Sequence, residues 1–276
     1  ITLLNTHEHL MSEQARLDQD IDLFYWFTHY SSSDLVSAGM SEETLEEIRD
    51  PGRPLDERWA VFAPYWRNAR TTGYGRALLL AAKDLFDAPD IDDGTYEELS
   101  AKIKASNRKG WYHYVLQDRA NIALSILNPL EEYDPTPLDE IDRSLFAPVL
   151  PLGEFITPCN LIELRALSKK TDVSIHSLDD LLRALDVTVE RAVDAGVVGV
   201  KVAVAYSRSL DFEKVAKADA ERVFNQLHRF PVPLIEVTQQ PPVSWTQAKP
   251  LHDYLMHQAI RRAIDHDLPI QVHTGL

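Results

Sequence analysis

The stretch Ser177-Leu178-Asp179-Asp180-Leu181-Leu182-Arg183-Ala184-Leu185-Asp186-Val187-Thr188-Val189-Glu190-Arg191-Ala192-Val193-Asp194-Ala195-Gly196 runs directly into Val197-Val198-Gly199-Val200-Lys201-Val202-Ala203-Val204-Ala205. Leu181, Leu182, Leu185, Val189 and Ala192 recur at helical spacing, so Leu178–Ala195 is predicted to be an amphipathic helix. Ser177 is placed to cap its first turn, and Gly196 to end it as the glycine just past the C-terminus. The β-branched run Val197–Ala205 then reads as a buried strand. A helix feeding a buried strand is the repeating unit of a parallel α/β sheet.

The same rhythm extends on both sides. Asn121–Ile126 and Leu145–Leu150 read as strands, the second weakened by Pro148, which lacks a backbone N–H. Phe212–His228 and Leu251–Asp265 read as helices, and Pro269–His273 as a further strand. Pro231–Ser244 is proline-rich and reads as a loop, in which Leu234–Val237 can form a short strand. At the start, Ile1–Leu4 is a short apolar strand that ends in Asn5-Thr6-His7-Glu8-His9. This makes five strands alternating with helices.

Residues 11–110 differ. Ser41–Ile48 is an acidic helix with Ser41 as its N-cap. Leu55–Phe62, Tyr65–Arg70, Gly75–Phe86 and Thr95–Asn107 also read as helices, with no strand of comparable strength. This region is predicted to be a helical insertion after the first strand of one domain spanning 1–276.

The formal net charge of −15, from 28 Lys and Arg against 43 Asp and Glu, argues against a nucleic-acid partner, which requires a basic face. The expected partner is a small-molecule substrate, with homo-oligomerisation left open. No apolar stretch approaches the roughly 20 residues of a membrane helix. The lone Cys159 forms no internal disulfide, which fits a reducing compartment, and a cytoplasmic location is expected. The glycine-rich phosphate loops and the Gly-x-Ser-x-Gly nucleophile turn are absent from the sequence.

The chemistry concentrates at strand ends. His7 and His9 are two apart, so on a strand both imidazoles face the same side, where they can share a divalent metal or stand as ordinary polar residues. His273 ends the last strand and shares a face with Gln271; two polar side chains facing the inside of a parallel sheet need partners or a function. Lys201 shares its face with Ala203 and Ala205, and a buried lysine there calls for a counter-charge, a shifted pKa or chemistry, unless it snorkels to the sheet edge. Tyr206 and Arg208 follow the same strand, where α/β folds bind ligands. Arg208 is a candidate carboxylate clamp or a surface loop residue. His29, within the aromatic run Phe24–Tyr30, either lines a substrate pocket or belongs to the packing face of the insertion. His113, His228, His252, His257 and His266 fall on predicted helices and are read as structural or solvent-exposed.

Thr6-His7-Glu8-His9-Leu10 resembles the His-x-His signature on the first strand of the amidohydrolase superfamily, and Gln271-Val272-His273-Thr274-Gly275-Leu276 resembles its fifth-strand histidine. Gly199–Tyr206 resembles the fourth strand of the amidohydrolase 2 branch, which includes relatives of uronate isomerase, and the long helical insertion is also similar to those isomerases. The resemblance implies a (β/α)8 TIM-type barrel in which His7, His9 and His273 bind a divalent metal, Zn²⁺ being the leading candidate. It also implies catalytic roles for Lys201 and His273, and substrate contacts from Tyr206, Arg208 and His29. Lys201 would then pair with a substrate anion or, carboxylated, bridge two metals. The implied activity is hydrolysis of a C–N or C–O bond in a small molecule, an acidic one among the candidates, by a metal-activated water. The alternatives are a uronate isomerase-like or decarboxylase enzyme on the same scaffold, and an inactive fragment or binding scaffold. The superfamily pattern also uses a histidine from strand six and an aspartate from strand eight, so the barrel is expected to be incomplete, stopping after its fifth strand.

Overall fold

A computed structural model describes residues 1–129, 137–228 and 243–275. It divides into two compact units, one formed by Ile1–Leu3 with Met11–Ala123 and the other by Leu4–Leu10 with Leu124–Leu276. The Leu234–Val237 strand reading lies outside the described residues.

The first unit is helical. It contains α1 (Glu13–Leu17), a 3-10 turn at Leu23–Trp26, α2 (Tyr30–Ser37), α3 (Glu42–Arg49), α4 (Leu55–Ala69), α5 (Gly73–Phe86), α6 (Tyr96–Ala105) and α7 (Trp111–His113). A π-helical turn, Tyr114–Arg119, follows α7 directly. The expected cap at Ser41 is present, its side chain accepting from Thr44 N. The two helices read on either side of Pro64 are one helix, α4. Pro64 removes one backbone hydrogen bond, but Trp59, Phe62, Ala63 and Trp66 of the same helix are buried, and that packing keeps the helix continuous. These side chains join Phe24 and Phe27 in an aromatic core, with Phe62 edge-on to Phe24 at 5.3 Å and tilted against Phe27 at 4.5 Å. Glu13 of α1 accepts from Gly110 N and Tyr112 N and so ties the chain after α6 back to the start of the unit.

The second unit carries the strands β1 (Leu3–Glu8), β2 (Ile122–Leu127), β3 (Phe146–Pro148), β4 (Leu150–Pro151), β5 (Val200–Val202) and β6 (Ile270–Val272). They form two three-stranded sheets, ordered β1-β2-β3 and β4-β5-β6. β2 pairs in parallel with β3, placing Ser125 opposite Phe146 and Leu127 opposite Pro148. β4 pairs in parallel with β5, and β5 with β6, where Lys201 lies opposite Gln271. β3 and β4 are one chain line interrupted at Val149, whose N–H turns to Leu127 O, while the next amide, Leu150 N, donates to Gly199 O. One line therefore serves both sheets. Pro148 fits because its carbonyl is used, accepting from Val198 N. The parallel α/β arrangement is present, but no closed barrel forms among the described residues.

The helices of this unit are α8 (Gly153–Ile156), α9 (Leu161–Thr171), α10 (Leu178–Asp194), α11 (Lys217–Leu227) and α12 (Trp245–Asp265). α10 begins with a capping box between Ser177 and Asp180 and is followed by Gly196 at φ +79°, as its sequence indicates. Its face of Leu178, Leu181, Ala184, Leu185, Val189 and Ala192 joins a core with Val200, Val202, Phe224 and Leu255. α12 starts earlier than expected because Ser244 and Gln247 form a second capping box ahead of Pro250. α8 and α9 were not read from the sequence.

Two strands differ from expectation in extent. β1 is shifted along the chain, so that His7 lies within it. The run expected to be strand over Val197–Ala205 is strand only at Val200–Val202 and turns into a 3-10 segment, Val204–Tyr206. Ala203 leaves the extended conformation (φ −114°, ψ 27°), so the predicted face of Lys201, Ala203 and Ala205 does not persist.

Gly199 lets β5 approach β6 just ahead of Lys201. A Cβ at this position would stand 2.9 Å from the backbone oxygen of Pro269 and 3.4 Å from its ring. Gly199→Ala is therefore expected to destabilise the fold by about 1–3 kcal/mol through overpacking. Urea unfolding measures this, and an unchanged midpoint would contradict the close approach.

Candidate functional site

His7 lies on β1 and His9 just beyond its end, and their rings meet edge-on with centroids 4.5 Å apart. His9 Nδ1 is 3.0 Å from the backbone oxygen of Asn128, the residue after β2. A carbonyl oxygen only accepts, so Nδ1 carries the proton and Nε2 keeps its lone pair. Burial pushes the pKa of His9 below its ordinary value, against the raising effect of this hydrogen bond, and so favours the neutral ring.

His7 Nδ1 is 3.1 Å from Gln271 Oε1 on β6. Gln271 Nε2 donates to Thr6 O at 2.7 Å, and Lys201 Nζ donates to the same Oε1 at 3.1 Å. One side-chain amide therefore joins β1, β5 and β6. Lys201 is 4% exposed, and no carboxylate pairs with it among the described residues. Its burial lowers the pKa of the amine. The snorkelling alternative does not apply, because the side chain turns inward to Gln271.

His273 stands just after β6, its backbone N–H donating to Val202 O. Its ring stacks on Tyr206 with centroids 4.3 Å apart, and Nε2 lies 2.8 Å from Gly275 O. That contact makes Nε2 a donor, so it is not presented as a ligand beside His7 and His9. Among the described residues no three His, Cys, Asp or Glu side chains gather around one point, and the expected three-histidine set is not assembled. The donors that are present fit a divalent cation in part: His7 and His9 each offer an Nε2 lone pair while Nδ1 is held by an oxygen, the usual second-shell arrangement of ligating imidazoles. On β2 and just after it, Ser125 Oγ and Asn128 Oδ1 are buried with no hydrogen-bond partner among the described residues.

Tyr206 is 57% exposed at the end of the 3-10 turn, where its ring stacks on His273. Arg208 is otherwise engaged. Its side chain is 8% exposed, it donates to Asp253 Oδ1 at 2.8 Å and Asp211 O at 3.0 Å, and it lies over the Phe212 ring. The expected carboxylate clamp is thus occupied by an internal carboxylate, because α12 places Asp253 beneath the loop. Lys249 also reaches Asp253, at 2.5 Å. Burial alone would raise the Asp253 carboxyl, but hydrogen bonds from Lys249 and Arg208 outweigh it and hold the group below the usual carboxylate range. His29 belongs to the helical unit, where it precedes α2 with φ +49°, and the neighbouring Phe24 and Phe27 are core residues.

Sequence reasoning missed the bridging role of Gln271, although its shared face with His273 was visible. It also missed Asn128 and Asp253. Asn128 acts on His9 through a backbone carbonyl that any residue supplies, and Asp253 sits among ordinary helical charges, so neither leaves a distinctive pattern.

Cys159 and His252 are both buried, with Sγ 3.7 Å from Nε2. They do not form an activated thiol pair: burial pushes the thiol up to about 12, and burial pushes His252 down to about 4. His252 Nε2 instead hydrogen-bonds to Pro158 O.

No protein-family model matches the sequence, and no curated protein matches it closely enough to count. Solved structures do match. A glucuronate isomerase from Caulobacter crescentus superposes with a TM-score of 0.73 at 16% identity, covering 100% of this chain and 58% of that one. A uronate isomerase from Thermotoga maritima gives 0.75 at 13% identity, covering 100% and 60%. A Lactobacillus casei protein whose assignment as a metal-dependent hydrolase is by name only gives 0.54 at 14%, covering 100% and 58%. These are amidohydrolase-superfamily-like folds, and at such identities the likeness establishes the fold alone. The chain spans less than two thirds of the length of each. No described helix is long and apolar enough to cross a membrane.

The buried neutral state of His252 sets a pH dependence. Above its ordinary pKa of about 6.5 the ring is neutral in both folded and unfolded chains. Below it, the unfolded chain takes up a proton that the folded chain refuses, so stability falls as pH drops from about 6.5 to about 4. With the folded value at about 4, the loss is about 3 kcal/mol at about 1.4 kcal/mol per pKa unit. Urea unfolding across this range, with His252→Gln alongside, checks it; equal pH slopes for the two proteins would contradict it.

Proposed function

We propose that this chain carries part of the active site of a divalent-cation-dependent enzyme acting on a small, acidic molecule. The observation that carries the reading is the matched pair His7 and His9, each with Nδ1 on a carbonyl oxygen and Nε2 free to ligate. The fold likeness supports it, since residues at strand C-terminal ends form the ligand sites of such barrels. His7 and His9 would hold the cation, Zn²⁺ first among candidates, which when bound supplies Lewis acidity at neutral pH.

The chain's own residues then divide the remaining work. Lys201, buried and unpaired with any described carboxylate, would meet a negative group of the substrate. Tyr206, stacked on His273, would pack against the substrate body, and His273 would exchange a proton with it once released from Gly275 O. Arg208 enters this scheme as a support for the loop that carries Tyr206. The leading reaction is hydrolysis of a C–N or C–O bond. A second reading, isomerisation of a uronate, takes its motive from the uronate isomerases among the matching structures, whose TM-scores of 0.73, 0.75 and 0.58 stand beside 0.54 for the hydrolase and speak to the shared fold.

Titration calorimetry with Zn²⁺ tests the common core of both readings. The wild-type chain is expected to bind, and His7→Ala/His9→Ala to lose binding by at least about 100-fold, since the ligands themselves are removed. A wild-type chain that takes up no Zn²⁺, or a double variant that binds equally well, would overturn the assignment. Product analysis with amide, ester and uronate panels separates the two reactions.

A further inference from the structure

We propose that Gln271 is a positioning residue: its side-chain amide determines which nitrogen of His7 carries the proton, and so presents the Nε2 lone pair of that ring to a cation. The inference rests on the reading of His7 and His9 as a cation-binding pair.

The orientation of the amide follows from its partners. Thr6 O, 2.7 Å away, only accepts, so the nitrogen of the amide must face it. The oxygen consequently faces His7 Nδ1 and Lys201 Nζ, both at 3.1 Å. Lys201 donates to this oxygen. An unprotonated Nδ1 would set its lone pair against the same oxygen, so the proton belongs on Nδ1. The two lone pairs of Oε1 are then both used, one by each donor, and every polar atom of the amide has a partner.

The two imidazoles reach the same tautomer by different means. His9 is held by the backbone carbonyl of Asn128, which no substitution removes. His7 is held by a side chain on another strand, so its tautomer depends on β6 being in register with β5, where Gln271 lies opposite Lys201. The amide is also neutral. A carboxylate in its place would keep both acceptor contacts but add an ion pair to Lys201 and lose the donor to Thr6 O.

Long-range ¹H–¹⁵N correlation spectra of the metal-free, ¹⁵N-labelled chain at about pH 8, where imidazoles are neutral, read the tautomer directly, with a His7→Gln spectrum assigning the ring. Wild-type His7 is expected as Nδ1–H. Gln271→Met should move it toward Nε2–H and weaken Zn²⁺ binding about 10- to 100-fold. Gln271→Glu, which restores an acceptor, should restore Nδ1–H. If Gln271→Met does not fold, Gln271→Asn, whose shorter side chain withdraws the oxygen, takes its place. An Nε2–H ring in the wild type, or an unmoved tautomer in the folded variant, overturns the proposal. A wild-type chain that binds no Zn²⁺ yet shows the Gln271-dependent tautomer overturns the metal reading alone and supports the role of Gln271.

Discussion

A single side-chain amide connects the chemistry of the second unit. Gln271 reaches from β6 to the backbone of β1 at Thr6, to the ring of His7 and to the amine of Lys201. β1 and β6 stand at opposite ends of the strand order, so this contact requires the strands to curl toward one another. The curl depends in turn on the interrupted line β3–β4, which lends its first half to β2 and its second to β5. It also depends on Gly199, which lets β6 lie against β5 without a Cβ between them. Three polar groups on three strands then share one hydrogen-bond system, in which Lys201 is buried while His7 and Thr6 are exposed.

The loop after β5 is organised by a buried ion cluster. Asp253, fully buried on α12, receives Arg208 and Lys249, and its carboxylate also accepts from Glu213 N. Two cations and a backbone amide compensate one buried carboxylate, which is why the group stays ionised. The arrangement places Arg208 beneath the loop and leaves Tyr206 on top of it, against His273. An arginine next to a candidate site thus serves to hold an aromatic residue of that site.

The helical unit owes its cohesion to aromatic packing. Phe24, Phe27, Phe62 and Trp66 form a continuous set of ring contacts, and full burial of one such side chain contributes roughly 1.5–3 kcal/mol. Trp66 and Trp59 use their indole N–H groups on Ile91 O and Asp93, so the rings bury area without orphaning a donor. The buried pair Arg58–Asp22, with Arg58 also on the carbonyl of Ile48, ties the 3-10 turn to α3 and α4.

Local rules made much of this legible from the residues in order. Ser41, Ser177 and Gly196 act where capping and chirality require them to, since a helix end depends on groups within a few residues. The βα alternation follows from hydrophobic period, and the pairing of His7 with His9 from strand geometry. What sequence could not settle were the outcomes that depend on partners far along the chain. Pro64 inside one continuous helix is tolerated because its neighbours are buried, and the strand through Lys201 stops at Val202 because the backbone turns at Ala203. His273 faces Tyr206 and Gly275 and does not gather with His7 and His9 around one point among the described residues, and Arg208 is taken by Asp253. Gln271 became the centre of the site only when folding brought β1, β5 and β6 together. The sequence by itself determined the elements and the chemical groups at their ends; the tertiary structure alone decided which groups meet, because a hydrogen bond over hundreds of residues is set by packing and register and not by local spacing.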